Sequence, residues 1–298
     1  MVFVNDFSTD GSLKYIENLQ KQDPRIKIIN NKKNMGILYS RSIGALLSKG
    51  KYIFPVDNDD IFFDKDVFST VSNIAEKGDF DIVEFRGIEV KQIGRGISNR
   101  IIDINWTNKQ NNMLLTQPDL GNYPIRAGKN LGTYDLFDVY LWNKCIKTEV
   151  YQKALTKLGK EKYSRFMLAH EDVLAVFFLF NTAKTYKFIG KYGICHIKVQ
   201  GSAYFKTGNL NFELKEFYLL DIVMIFSQNS NEHRKLIPNL LIIVLGLKLL
   251  PTIVSNESNH KLLISMIDKI LKSDLYNESF KNEIRKRGKN LKFLKYDF

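Results

Sequence analysis

Cysteine is scarce in this chain. Its 298 residues hold two, Cys145 and Cys195. They sit far apart without metal-ligand spacing, which argues against a disulfide framework and a cysteine zinc site. Two reduced thiols in a reducing compartment are expected. The six prolines gather in no proline-rich linker, and no Gly/Ser-rich linker or internal repeat is present. Long apolar runs are missing as well. The longest, 236–254, is broken by Pro238, Asn239, Lys248 and Pro251. It falls short of the ~20 apolar residues that cross a bilayer and is expected to be a buried helix. Met1 leads straight into the strand-like Val2-Phe3-Val4, so no secretory leader is expected.

Acidic residues are in deficit, 32 against 44 Lys plus Arg, for a net charge of +12. That excess favours an anionic partner: nucleotide phosphate, nucleic acid or an acidic membrane surface. No helix-turn-helix, zinc or aromatic-basic RNA signature accompanies it, so nucleic acid is not the expected partner. Hydrophobic residues make up 44%, enough to bury a core.

One stretch organises the rest: Lys51-Tyr-Ile-Phe-Pro-Val-Asp57-Asn58-Asp59-Asp60-Ile-Phe-Phe63. Its first half predicts a buried strand over 51–57. Its second half sets three carboxylates in four positions at that strand's carboxyl end. Burying three like charges requires a cation, and oxygen ligands suit Mg²⁺ or Mn²⁺. The alternative is an acidic turn with every carboxylate in water. This stretch alone leaves both readings open.

Around it, strands and helices alternate. Strands are expected at 2–5, 26–29 and 80–85, and helices at 12–20, 37–48 and 64–77. Alternation implies a parallel sheet with helices on its faces, which binds ligands beyond the carboxyl ends of its strands. Three polar clusters fall at such ends: Asn5-Asp6, Asn30-Asn31 and Asp57 to Asp60. The middle predicts a β excursion near 88–104 and a long loop over a cleft at 106–132. A helix over 149–158 follows, then Glu171-Asp172 before an apolar helix, 173–180, and two short strands, 184–189 and 192–197. By itself Glu171-Asp172 reads as helix N-terminal capping and dipole compensation. His196 and Lys198 share one face of the last strand. From about 209 onward only helical spacing is present. The final segment carries Lys281, Arg285, Lys286, Arg287, Lys289, Lys292 and Lys295, either a solvated face or an attachment to anionic lipid.

Four pieces in order resemble the family-2 glycosyltransferases of the GT-A fold. They are Val4-Asn-Asp-Phe-Ser-Thr-Asp-Gly-Ser12, the run from Asn34-Met-Gly36 through Ser40-Arg41-Ser42 to Gly50-Lys-Tyr-Ile53, the DxD-like Asp57-Asn-Asp59-Asp60, and Glu171-Asp172. Trp142-Asn-Lys144 and Gly201-Ser202 also fit related members. The resemblance covers about residues 1–204 and implies a GT-A-like, mostly parallel α/β sheet flanked by helices. Residues 205–298 would be an all-helical C-terminal extension.

The resemblance also implies the chemistry. A nucleoside-diphosphate sugar is the donor and a glycan or glycolipid hydroxyl the acceptor, with Mg²⁺ or Mn²⁺ as cofactor. Asp6, Ser8, Asn34, Gly36, Arg41 and Asp57 would bind the nucleotide, Asp6 at the base and Asp57 at the ribose. Asp59 would hold the metal, joined by His196. Asp172, or failing it Glu171, would be the general base. The implied location is cytoplasmic or peripheral at a membrane surface. Departures stand beside this. Ser42 replaces the usual Asn after Arg41, and Cys195 and Ile197 stand where basic or aromatic residues are common. Members of the family also carry a strand and helix ahead of the Val-Asn-Asp strand. The expectation is that Met1 is not the natural start or that the chain is a decayed, non-catalytic copy.

Overall fold

The computed structural model describes residues 1–62, 64–93, 96–103, 113–116, 140–164 and 171–198, with residues 272, 278, 282 and 285. By compactness the chain divides into two units, Met1–Ser202 and Ala203–Phe298. The expected C-terminal helices, most of the 106–132 loop, the apolar run 236–254 and Gly201-Ser202 lie outside the described residues.

The α/β architecture expected from the sequence is present. Strand β1 (Val2–Asn5) leads through α1 (Ser12–Gln22) to β2 (Lys27–Asn30). The two strands pair in parallel, Val2 opposite Lys27 and Asn5 opposite Asn30. Helix α2 (Ile37–Leu47) follows, then β3 (Tyr52–Ile53), β4 (Ile61–Phe62) and α3 (Val67–Lys77). The long β5 (Ile82–Ile93) turns back as β6 (Gly96–Asp103), which is the expected β excursion. The remaining elements are β7 (Leu114–Thr116), β8 (Lys144–Lys147), α4 (Thr148–Leu158), the single turn α5 (Lys160–Tyr163), α6 (Glu171–Phe180) and β9 (Thr185–Lys198). Among the described residues β3, β8, β5, β9 and β4 form one sheet in that order, with β6 on β5 and β7 on β9. Its parallel pair is β5–β9.

Two expectations need correction. The strand predicted over 51–57 is only Tyr52–Ile53, paired with β8. Pro55 has no N–H to give a ladder, and the acidic residues beyond it turn the chain instead. Conversely, the two strands predicted at 184–189 and 192–197 are one, β9. The register against β5 shifts around Arg86, so the strand bends without ending. Gly193 permits this close passage, since a Cβ there would stand 2.4 Å from the Phe85 ring.

The core forms where α3 crosses the sheet. Val67, Val71 and Ala75, spaced by four, share one helical face. They pack with Val83, Phe85, Trp142, Cys145, Ile189 and Ile194. Each fully buried Val or Ile there contributes roughly 1.5–3 kcal/mol. Helix α4 buries Val150, Tyr151, Ala154, Leu155 and Leu158 in the same way. No helix among the described residues is long and apolar enough to cross a membrane.

Candidate active site

Two of the polar strand ends meet directly. Asn5 Nδ2 donates to Asn30 Oδ1 at 2.6 Å, and Asn31 Nδ2 donates to Asp6 Oδ1 at 2.8 Å. Parallel pairing of β1 and β2 puts both ends on one side, so this contact follows from the register. Asp6 also takes the backbone N–H of Met35 at 2.8 Å and of Gly36 at 2.9 Å. Gly36 sits at φ 87 and ψ 163, a conformation that a Cβ would strain. Asn34 Oδ1 takes the Gly36 N–H too, at 3.0 Å. Asp6 therefore anchors the turn that starts α2, a task its expected role at the base did not include. Ser8 lies beside it, its N–H donating to Asn5 Oδ1 at 3.2 Å.

Helix α2 carries Arg41 into the centre of the site. Its Nη2 donates to Asp57 Oδ1 at 2.5 Å, and its Nη1 donates to Glu171 Oε1 at 2.5 Å and to Asp172 Oδ1. One guanidinium thus joins the residues just past β3 to the first turn of α6. Burial works against the Arg41 charge, but Asp172, Asp57 and Glu171 outweigh it and hold the group well above its usual range. Burial likewise raises Asp172 well above the ordinary carboxylate range. Arg41 pulls it down, Glu171 and Asp57 push it up, and Lys144 adds a smaller downward pull. The buried Tyr151 hydroxyl of α4 lies by the same cluster, and burial raises it as well.

Asp57, Glu171 and Asp172 therefore come together around Arg41, and Asp59, expected to converge with Asp57 and Asp172, is not among the carboxylates it holds. The remaining acidic residues lead elsewhere. Asp60 is buried, and its Oδ1 meets His196 Nδ1 at 2.7 Å. Burial pushes the Asp60 carboxyl up against the pull of His196. The same hydrogen bond, with Asp59 and Asp57 nearby, raises His196 against its own burial. The imidazole stacks on Trp142 at 5.7 Å between ring centroids, and Trp142 on Tyr140 at 4.8 Å. Asp59 itself is half-buried. Of Lys198 only the backbone is described.

A divalent ion would meet mixed terms here. Among the described residues no group of three or more His, Cys, Asp or Glu is arranged to hold one. Yet Asp60 Oδ2 is buried with no hydrogen-bond partner. Together with the half-buried Asp59 it offers hard oxygen of the kind Mg²⁺ and Mn²⁺ take. The donor chemistry fits, and sequence reasoning placed Asp60 in the acidic turn without giving it a ligand role of its own. Sequence reasoning likewise named Lys144 without giving it a role. That ammonium is fully buried on β8, 3.2 Å from the fully buried Glu84 opposite it on β5. It donates to the Tyr140 carbonyl at 2.6 Å and to Asn143 Oδ1 at 2.9 Å. A lysine opening the short strand Lys-Cys-Ile-Lys shortly after the apolar Leu141-Trp142 was the available signal.

The sequence model of glycosyl transferase family 2 matches residues 1–137, from β1 through the acidic turn and beyond. Over that stretch the chain is similar to glycosyl transferase family 2. An uncharacterized glycosyltransferase of Haemophilus influenzae is 46% identical over 61 residues, 20% of this chain and 19% of that protein. Glycosyltransferase GlyG of Streptococcus pneumoniae is 30% identical over 83 residues, 28% of this chain and 27% of its own. EpsJ of Bacillus subtilis, an uncharacterized glycosyltransferase, is 26% identical over 157 residues, 52% of this chain and 41% of its own. The matches thus span between a fifth and two fifths of these relatives. Among solved structures, S. aureus TarS residues 1–349 with UDP aligns at a TM-score of 0.60 and 13% identity, covering 97% of this chain and 78% of that one. The same protein with UDP-GlcNAc aligns at 0.54 and 15%, covering 80% and 62%. These likenesses show the GT-A fold.

Proposed function

We propose that the chain is an inverting glycosyltransferase that moves a sugar from a nucleoside-diphosphate sugar to a hydroxyl of a glycan or glycolipid. The observation that carries this is Arg41, which draws Asp57 and the Glu171-Asp172 pair onto one point. An acceptor hydroxyl needs a general base to take its proton as the sugar–phosphate bond breaks. Asp172 is the residue for that task, with Glu171 beside it. A carboxylate held on a guanidinium is oriented, which is what positional catalysis requires. Mg²⁺ or Mn²⁺, when bound by Asp59 with Asp60 or His196, would neutralise the charge that develops on the leaving diphosphate. Asp57 would hold the donor ribose, and the turn held by Asp6, Asn34 and Gly36 would take the nucleotide.

The test is a donor-hydrolysis and transfer screen on the full chain with and without Mn²⁺. UDP sugars lead the panel, since TarS binds UDP and UDP-GlcNAc. Metal-dependent turnover that Asp172→Asn removes, with donor binding retained, supports the proposal. Binding without turnover supports a second reading, a non-catalytic nucleotide-sugar-binding domain. One observation favours that reading: Asp172 is buried and its Oδ1 is committed to Arg41 rather than to an acceptor hydroxyl. A peripheral site of action, through the basic residues 281–295 on anionic lipid, completes the proposal. Co-sedimentation with phosphatidylserine vesicles tests it.

A further inference from the structure

We propose that the Phe7 ring is the platform on which the donor's nucleobase stacks, an inference that rests on the transferase reading above. Phe7 follows β1 at its carboxyl end, where α/β sheets bind ligands. Its φ is 62, a left-handed conformation uncommon for a bulky side chain. The residue is 53% exposed. The residues on either side are both tied down. Asp6 accepts from Asn31, Met35 and Gly36, and the Ser8 N–H donates to Asn5. A fixed frame therefore forces Phe7 into a costly backbone conformation, and the result is an aromatic face held in solvent. Core packing does not account for that, because the residue is half outside. Strain of this kind persists where the surroundings over-determine it and gathers at ligand clamps.

The position suits a base. Asp6 fastens this turn to Gly36, the residue ahead of α2. Arg41 stands five residues further on, about 7.5 Å along the helix axis, and reaches Asp57. Asp6, the residue before Phe7, and Arg41, which holds the acidic cluster, are thus tied to the start and the middle of the same helix. Asp6 already uses three of its roughly four acceptor positions on its own chain. Recognition of the base by that carboxylate is thereby limited, and the planar ring beside it supplies what the carboxylate does not. Stacking reads the π-face that every base has, so it contributes affinity more than choice among bases.

Calorimetry on the full chain tests this with UDP, GDP and pyrophosphate, each with Mn²⁺. In the wild type, one nucleotide is expected to bind more tightly than pyrophosphate. Phe7→Leu and Phe7→Gly are expected to weaken that nucleotide roughly tenfold. Phe7→Trp keeps its affinity, and pyrophosphate binding does not change in any variant. Phe7→Gly also raises Tm, because glycine accepts φ 62 without strain. A gain in fold stability with a loss in binding separates a ligand platform from a structural residue. Equal nucleotide affinity in wild type and Phe7→Gly overturns the inference, as does a parallel loss for pyrophosphate or a wild type that prefers pyrophosphate. A wild type that binds none of the three removes the transferase reading, and this one with it.

Discussion

Arg41 and Asp172 lie 131 positions apart in the chain and share a hydrogen bond in the fold. The same guanidinium, with its side chain 14% exposed, also holds Asp57 and Glu171. Three carboxylates around one cation leave an excess of negative charge in a poorly solvated place. The contact fixes the candidate base relative to the acidic turn, and it also makes Arg41 indispensable to the local fold.

Arg41→Ala should therefore destabilise the protein by roughly 3–5 kcal/mol, the cost of leaving buried charge uncompensated. In a chain of this size that lowers Tm by about 10 °C. Arg41→Lys keeps the charge but not the fork that reaches Asp57 with one nitrogen and the Glu171-Asp172 pair with the other. It should retain most of the stability and lose most of the transfer rate. Thermal melts alongside initial rates decide this; a lysine variant as active as wild type would contradict the bridging role.

Asp172 sets an acid-side pH dependence. Its folded pKa is raised well above 3.8, burial being the main cause. The folded state therefore holds this proton more tightly than the unfolded chain does. The associated stability is fully present below about pH 4 and is lost as pH rises through the raised value. Transfer should rise over that same window, since a base must be ionised to act. Asp172→Asn should be inactive and should not lose stability there, so its Tm advantage over wild type grows with pH. Melts of the two proteins from pH 4 to 8 check the sign.

Much of this was legible in the sequence because it is local. Strand–helix alternation in the first third predicts β1, α1, β2, α2 and α3 within a few residues. The polar strand ends meet because parallel pairing aligns them. What escaped depended on neighbours far along the chain. Pro55 truncated a strand that apolar content favoured. A shift of register against β5 let one strand continue through 190–191, where two strands were expected. The partner of His196 is Asp60, not Asp59, because β4 pairs with β9 and places Ile61 opposite Cys195. Arg41 read as a nucleotide contact because nothing in its own helix shows which carboxylates lie across from it.

Metal dependence separates the two halves of the acidic turn. Asp59→Ala should abolish Mn²⁺-stimulated donor hydrolysis while changing the unfolding free energy by no more than about 0.5–1 kcal/mol, as for a partly exposed side chain. Chelation of the wild type should reproduce the same loss of rate. Hydrolysis that survives both treatments would mean that the leaving group is stabilised by the protein's own cations.

The Glu84–Lys144 pair offers a final test, because its two members are fully buried and face each other across β5 and β8. Lys144→Met leaves Glu84 charged and unsolvated, so it should cost about 3–5 kcal/mol, and Glu84→Leu should be similarly harmful. The double variant replaces the pair with apolar volume and should recover most of that loss. Its chemistry should not recover with it. Lys144 is one of the positive charges that pull Asp172 down, so the double variant should need a higher pH to reach half-maximal transfer. Chemical denaturation gives the coupling energy and a pH–rate profile gives the shift. Restored stability with an unmoved profile would make the pair purely structural.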